Sequence, residues 1–438
     1  MRISTSQAYG SGLRGIERSQ NQLLRLQNQM SSGRRMLTSA DDPVAAARAL
    51  TVSQSKDVGV QYAHNQSDAT ARLGLVDNQL TALTNLLQNV RERVIQAGNT
   101  VLSDSDRQAL AIDLASSFDG LLGIANSQSA EGDYLFSGYQ GATIPFAGSA
   151  TSSVTYAGDD GQRLLQVTST QQMPSNVAGS DLFMNIREGN GTFATAATGS
   201  GGFPNQGSGI IQPGSVLDLE KWQSALNSGF PWQGTGNFSL QVQFSSVAGV
   251  SSYQLFDAST PDSSGTPLPA TAVSPVLPFV SGQAIPLVTT IPDVDFGAQV
   301  VINGLPAAGD TFTIKPSANK SVFQTMQELI GLLSSPLLAS GTTRTEFSGQ
   351  LQGHLTNLDQ VLVNVSRVHT TVGGYLQELD GLSSNSEALD IQYAQTLSNL
   401  QDLDYAKAIT DFTMQQVNLE AAQKSFVQIS GLNLFKYL

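Results

Sequence analysis

DATARLGLVDNQLTALTNLLQNVRERVIQA, residues 68–97, decides the fold. Its apolar residues fall at Ala69, Leu73, Val76, Leu80, Leu83, Leu87, Val90, Val94 and Ala97, in alternating steps of four and three, the seam of a coiled coil. A second ladder lies far downstream, at Phe347, Leu351, His354, Leu358, Val361, Val365, Val368, Val372, Tyr375 and Leu379. A helix with such a stripe does not stand alone in water, so each ladder needs a partner helix. The simplest partner for the first is the second. That pairing folds the chain back on itself and turns everything between the ladders into one large insert.

Upstream of the first ladder, Asp42 as N-cap and Pro43 at the first helical position mark a strong helix start. The helix runs toward Gln96 and is stopped by Gly98, a length of roughly 80 Å at 1.5 Å per residue. Gly59 is the candidate bend. Residues 5–32 read as a further helix, with Tyr9, Leu13, Ile16, Leu23 and Met30 on one seam and Gln20 and Gln27 at its remaining positions. Gly33 is its expected stop. At the far end, a helix from about Asn385 toward Ser430 repeats Tyr405, Phe412, Leu419 and Phe426 every seven residues, with Gln416 and Gln423 between them. The first and last helices are therefore expected to pair antiparallel with matched polar seams. An apolar tail follows: Leu432, Leu434, Phe435, Tyr437 and Leu438. Such weak seams are marginal alone and are expected to order fully on assembly with other copies.

Between the ladders, Ser103 and Asp106 suggest a capping box that opens a third helix, striped by Leu110, Leu114, Leu121 and Ile124 and ending near Gly132. Aromatic residues Tyr134, Phe136 and Tyr139 follow. Val154 and Tyr156, the Asp159-Asp160-Gly161 turn, then Leu165 and Val167 read as a hairpin. From about Pro174 to Pro316 the composition shifts to Gly, Ser, Thr and Pro, an all-β or loop-rich region. Its clearest strand alternates Phe238, Leu240, Val242 and Phe244 with polar residues, and Asn303-Gly304 predicts a second hairpin joining Val300–Ile302 to Phe312 and Ile314. Helix returns at Ser321 with Phe323, Met326, Leu329, Ile330 and Leu333, and Pro336 ends it.

The formal net charge is −13 and the isoelectric point about 4.6, which argues against a nucleic-acid surface. Charged residues make up 13%, half of the usual ~25%, and amides and hydroxyls take their place on the helix faces. Such a surface suits repeated burial against neighbouring copies, because desolvating an amide costs less than desolvating an ion. It suits equally a secreted protein with a Ser/Thr-rich β region. Cysteine is absent, so neither disulfides nor thiolate chemistry operate. The opening Met1-Arg2-Ile3-Ser4-Thr5 has no apolar core of a signal peptide, and no apolar run approaches the ~20 residues of a membrane span.

No catalytic constellation is found. The three histidines, His64, His354 and His369, lack metal-site spacing, and no nucleophile elbow, Walker loop or dinucleotide fingerprint occurs. Asp159-Asp160-Gly161 and Asp293-Val294-Asp295 are better read as turns than as calcium loops, and Asn190-Gly191-Thr192 is a glycosylation triplet of little weight in a Gly/Thr-rich stretch. Neither an enzyme nor a cofactor is expected.

Met30-Ser31-Ser32-Gly33-Arg34-Arg35 followed by Ser39-Ala40-Asp41-Asp42-Pro43-Val44-Ala45-Ala46 resembles the N-terminal signature of the bacterial flagellin superfamily. The Asp-Asp-Pro form, the opening Met1–Thr5, Tyr134-Leu135-Phe136-Ser137-Gly138, Tyr156–Arg163 and Gly309–Ile314 before Ser321-Val322-Phe323 are similar to its hook-associated, hook–filament junction branch. The end, Ala422 to Phe426 then Gly431 to Leu438, resembles that branch too, and filament flagellins usually end differently. The resemblance covers roughly residues 1–185 and 305–438; residues 186–300 match nothing. It implies an α+β, nested, flagellin-like architecture in which paired terminal helices line an inner tube, the next helices form a shell and the β-rich part points outward. It also implies a structural adaptor at the hook–filament junction of the flagellum, exported by the flagellar type III apparatus without a cleaved signal peptide. The implied partners are a hook-side hook-associated protein, flagellin, a ring of identical copies and an export chaperone on the C-terminal helix, with no nucleic acid and no membrane.

The expected domains are 1–40 with 400–438 for assembly, 41–175 with 318–399 as a helical bundle with a β-hairpin, and 176–317 as a variable β-rich outer domain. The residues expected to carry assembly are Leu13, Ile16, Leu23, Met30, Tyr405, Phe412, Leu419, Phe426, Leu434, Phe435 and Leu438. The alternatives are a filament flagellin subunit and, from another class, a secreted adhesin acting through the β region. An enzyme hidden in that region has no constellation behind it.

Overall fold

The computed structural model describes residues 5–99, 101–199, 204–227, 238–247, 250–259, 270–291, 293–337 and 344–431. Seven α-helices lie in these residues: α1 (Thr5–Ser32), α2 (Pro43–Ala97), α3 (Asp104–Ala125), α4 (Leu219–Asn227), α5 (Val322–Ser334), α6 (Arg344–Gln401) and α7 (Tyr405–Gly431). Two compact units result, one of Met1–Ser67, Gln166–Gln172 and Leu379–Leu438, the other of Asp68–Leu165 and Met173–Glu378. α2 and α6 contribute to both. The expected α+β class is what forms, with long helices from both ends of the chain around a β-rich middle.

Every rung of the first ladder is buried, and so is every rung of the second except the half-buried His354 and Tyr375. The two helices run antiparallel: Arg91 Nε donates to Asp359 at 2.7 Å, and His369 Nε2 lies 2.9 Å from Asp77 Oδ1. Each buried leucine contributes about 1.5–3 kcal/mol, so this seam is a major part of the core. α3 starts at the expected capping box, Ser103 Oγ accepting from Asp106 N–H while the Asp106 carboxylate accepts from Ser103 N–H. It ends at Ala125 and not near Gly132, because Asn126 turns the chain outward: its amide exchanges two hydrogen bonds with the Phe146 backbone, at 2.9 and 3.0 Å. α3 packs on α5 through Phe118 and Phe323, ring centres 5.8 Å apart. Phe146 and Phe183 extend that contact, Phe146 lying 5.2 Å from both Phe183 and Phe323.

Two expected hairpins have other mates. Ser152–Tyr156 pairs with the preceding Phe146–Ser149, and Leu164–Gln166 belongs to a separate two-stranded sheet. The Asp159 carboxylate accepts from the N–H groups of Tyr139 and Gly161, both at 2.8 Å, so residues 159–161 form a loop pinned to the aromatic segment and not a hairpin turn. These bonds, that from Tyr139 foremost, hold the Asp159 carboxyl below the ordinary value of 3.8. Likewise Gly304, at φ +93°, does turn the chain, but Asp293–Asn303 pairs back with Ala284–Thr290 while Thr311–Pro316 joins another sheet. The cause is buried Asp310, whose carboxylate accepts from Gln206, Gly207 and Ala307 N–H at 2.7–2.9 Å and ties the turn to a distant loop.

In that second sheet Thr311–Pro316 lies between Leu240–Val247 and Phe193–Ala197, and Val250–Asp257 follows on the far side of Leu240–Val247. Leu240, Val242 and Phe244 are buried as their alternation predicts. α4 inserts Trp222 between Phe193 and Phe296, with ring centres 5.2 and 5.9 Å away. Among the described residues no helix is long and apolar enough to cross a membrane.

Candidate assembly surface

The first unit is organised by a crossing of two short linkers. Gly33, at φ +68°, ends α1 in the left-handed region that favours glycine. Arg34 then bridges Asp402, with Leu403 N–H on Gly33 O at 3.0 Å and Arg35 N–H on Gln401 O at 2.8 Å. The Arg35 guanidinium caps α6 at Leu400 O, 2.9 Å away. Residues 402–404 thus part α6 from α7, where the sequence reading has one helix from Asn385 to Ser430. Backbone pairing across the crossing captures the N–H and C=O groups that a continuous helix would use. Asp404 restarts the helix by accepting from Lys407 N–H at 3.1 Å.

The signature residues complete the linker between α1 and α2. Asp42 accepts from Ala45 N–H at 3.0 Å, the expected N-cap of α2. Asp41 accepts from Leu37 and Thr38 N–H, both at 2.9 Å, and meets Arg25 at 2.9 Å. The Thr38 bond leads the causes that hold its carboxyl below 3.8. Sequence reasoning singled out this motif without finding its mate at 401–403; Asp404 before Tyr405 was the available signal.

α1 and α7 pack antiparallel. Tyr9 meets Phe426 edge-on at 5.7 Å, and Tyr405 Oη donates to Met30 O at 3.3 Å at the opposite end of the pair. Their polar seams are a different matter. Gln20, Gln27, Gln416 and Gln423 are exposed. The screened heptad positions of α1 are Tyr9, Gly12, Ile16, Ser19, Leu23, Leu26 and Met30, and those of α7 are Ala408, Phe412, Gln415, Leu419, Ala422 and Phe426. Gly12 of α1 thus receives the ring of Phe426 of α7. At Gly12 an added Cβ would lie 2.9 Å from the Phe426 ring, so glycine permits the approach.

Of the residues expected to carry assembly, Ile16, Leu23, Met30, Phe412, Leu419 and Phe426 are half-buried on this seam. Leu13 and Tyr405 are 52% and 51% exposed. Leu434, Phe435 and Leu438 lie outside the described residues. The pair also exposes Leu24, Ile409, Met414, Val417 and Val427, which the sequence reading had not named. Among the described residues no cluster of His, Cys, Asp and Glu is placed to hold a metal.

Residues 3–141 match the bacterial flagellin N-terminal helical region. Over 436 residues, 100% of this chain and 99% of the relative, the sequence is 24% identical to flagellar hook-associated protein 3 of Salmonella typhimurium. The solved flagellar junction protein FlgL of Legionella pneumophila superposes with a TM-score of 0.64 at 28% identity, covering 81% of this chain and 100% of that one. FlgL of Xanthomonas campestris gives 0.61 at 25% identity, covering 79% and 99%. The N-terminal third of the chain is therefore similar to the flagellin N-terminal helical region, and the chain along its whole length is similar to flagellar hook-associated protein 3.

Proposed function

We propose that this chain is a structural subunit of the bacterial flagellum, an adaptor at the hook–filament junction, with the α1/α7 pair as its assembly surface. The single observation that carries the assembly surface is the dense apolar exposure of that pair, including Leu13, Leu24, Ile409, Met414, Val417 and Val427. The names of the whole-length relatives support the flagellar location and a structural rather than enzymatic protein, and that of the Legionella pneumophila neighbour supports the junction role.

On this reading residues 1–40 and 400–438 form the assembly domain, 41–175 with 318–399 the helical bundle, and 176–317 an outer domain. Copies form a ring, one face of which meets a hook-side hook-associated protein and the other flagellin. The subunit leaves the cell through the flagellar type III apparatus, after a chaperone has covered its C-terminal helix. Ile16, Leu23, Met30, Phe412, Leu419 and Phe426 set the shape of the surface, and Leu13, Tyr405 and the tail residues Leu434, Phe435 and Leu438 contact neighbours.

A deletion strain tests the role: bare hooks with flagellin released into the medium are expected, and intact filaments overturn it. Bare hooks without such release favour a filament subunit. Phe412→Asp tests the surface: the β-rich region is expected to stay folded while incorporation stops, and normal filaments refute it.

A further inference from the structure

From Phe347 to Val372 the ladder of α6 is apolar at every rung but one, His354. That side chain is 18% exposed, and its Nδ1 is buried without a hydrogen-bond partner. Glu328 Oε2 of α5 stands 3.5 Å from it, beyond hydrogen-bond reach. The carboxylate is already engaged: Lys320 Nζ donates to Oε2 at 2.6 Å and Gln324 Nε2 to Oε1 at 3.1 Å. Lys320 also faces Glu188 at 3.7 Å. Lys320 ends the strand Asn319–Lys320 and Glu188 follows its antiparallel partner Ile186–Arg187, the pair through which the chain enters and leaves its β-rich region. Beside them Gly189 N–H donates to Asn357 Oδ1 on α6 at 2.8 Å. A cavity of about 430 Å³, lined by Glu188, Lys320, His354 and Asn357 among others, gives water access to the cluster.

We propose that His354 is a proton-operated latch at the root of the β-rich region: neutral, it packs as a rung of the ladder, and protonated, it competes with Lys320 for Glu328 and loosens the root strands from α5 and α6. Replacing an apolar rung by an imidazole costs packing, and a polar group in such a seam can fix register or act as a switch. The charged groups that act on it are Glu328 and Lys320, with Glu188 behind Lys320. Across the seam on α2, Arg91 is taken up by Asp359. Burial holds the imidazole below the ordinary histidine value of 6.5, against the attraction of Glu328 and helped by the repulsion of Lys320. A depressed folded-state value means that the latch stabilises fully above 6.5 and that this stability is lost as the pH falls through the folded value.

The full chain and its His354→Leu variant, which restores the apolar ladder, are compared by thermal unfolding and amide exchange between about pH 8 and pH 5. In the unsubstituted protein Tm is expected to fall more steeply below 6.5, and exchange of amides 186–189 and 317–321 to rise by roughly an order of magnitude. His354→Leu is expected to abolish both differences. Parallel pH dependences overturn the proposal. If His354→Leu fails to fold, NMR titration of the native imidazole decides: a value below 6.5 supports the latch, and one at or above 6.5 overturns it.

Discussion

Two helix pairs in this chain carry heptad seams and end in opposite states. The α2/α6 ladder is buried at nearly every rung, whereas among the described residues of the α1/α7 seam only Ala408 is buried. The sequences do not differ in period. They differ in company: α3 reaches the ladder helices through the Arg93–Asp113 ion pair, Gly120 against Leu86 and Arg107 over Phe347, and α5 through Glu328 beside His354, while two helices alone enclose no volume, so the half-buried seam residues of α1 and α7 keep one flank in solvent. The comparison teaches that one apolar repeat makes a core or a docking surface according to how many neighbours the rest of the fold supplies.

Truncation should separate the two pairs most sharply. Leu80→Ala, at a rung with 0% exposure, is expected to cost about 2–5 kcal/mol in urea unfolding, and a loss under ~1 kcal/mol would remove the distinction between core and surface seams. Gly12→Val should push Phe426 outward at a cost of about 1–3 kcal/mol confined to the terminal pair. Label-to-label distances between α1 and α7 should lengthen, while the unfolding of the ladder stays put. Asp404→Ala removes an N-cap and should cost about 1 kcal/mol, seen as faster amide exchange at Ala406–Ala408; unchanged exchange would mean that the crossing alone holds α7. The smallest effect is expected at Leu13→Ser, within about 0.5 kcal/mol for the isolated chain, because that side chain is 52% exposed. Reduced incorporation of the same variant into flagella would show that its value lies in contact with neighbours.

Much of this architecture was readable in residue order. Both ladders, the Asp42-Pro43 start, the Ser103 capping box and the Phe238–Phe244 alternation reflect local physics: period, caps and side-chain preference within a few residues. What escaped depends on distant partners. Asn303-Gly304 does turn, but Asp310 redirects the following strand by binding N–H groups at residues 206 and 207. The break before α7 needed the backbone at 33–35, some 370 residues upstream.

The terminal seam shows the limit most plainly. By itself the sequence determined that Tyr9, Ile16, Leu23 and Met30 share a face, since they repeat every seven residues. A heptad leaves two choices for the position between each pair, three or four residues on, and α1 offers both: Gly12, Ser19 and Leu26, or Leu13, Gln20 and Gln27. Only the tertiary structure decided for the first set. The bulk of Phe426 needs the space of Gly12, and the glutamine amides keep their hydrogen bonds with water, so close approach and solvation together placed Leu13 outside.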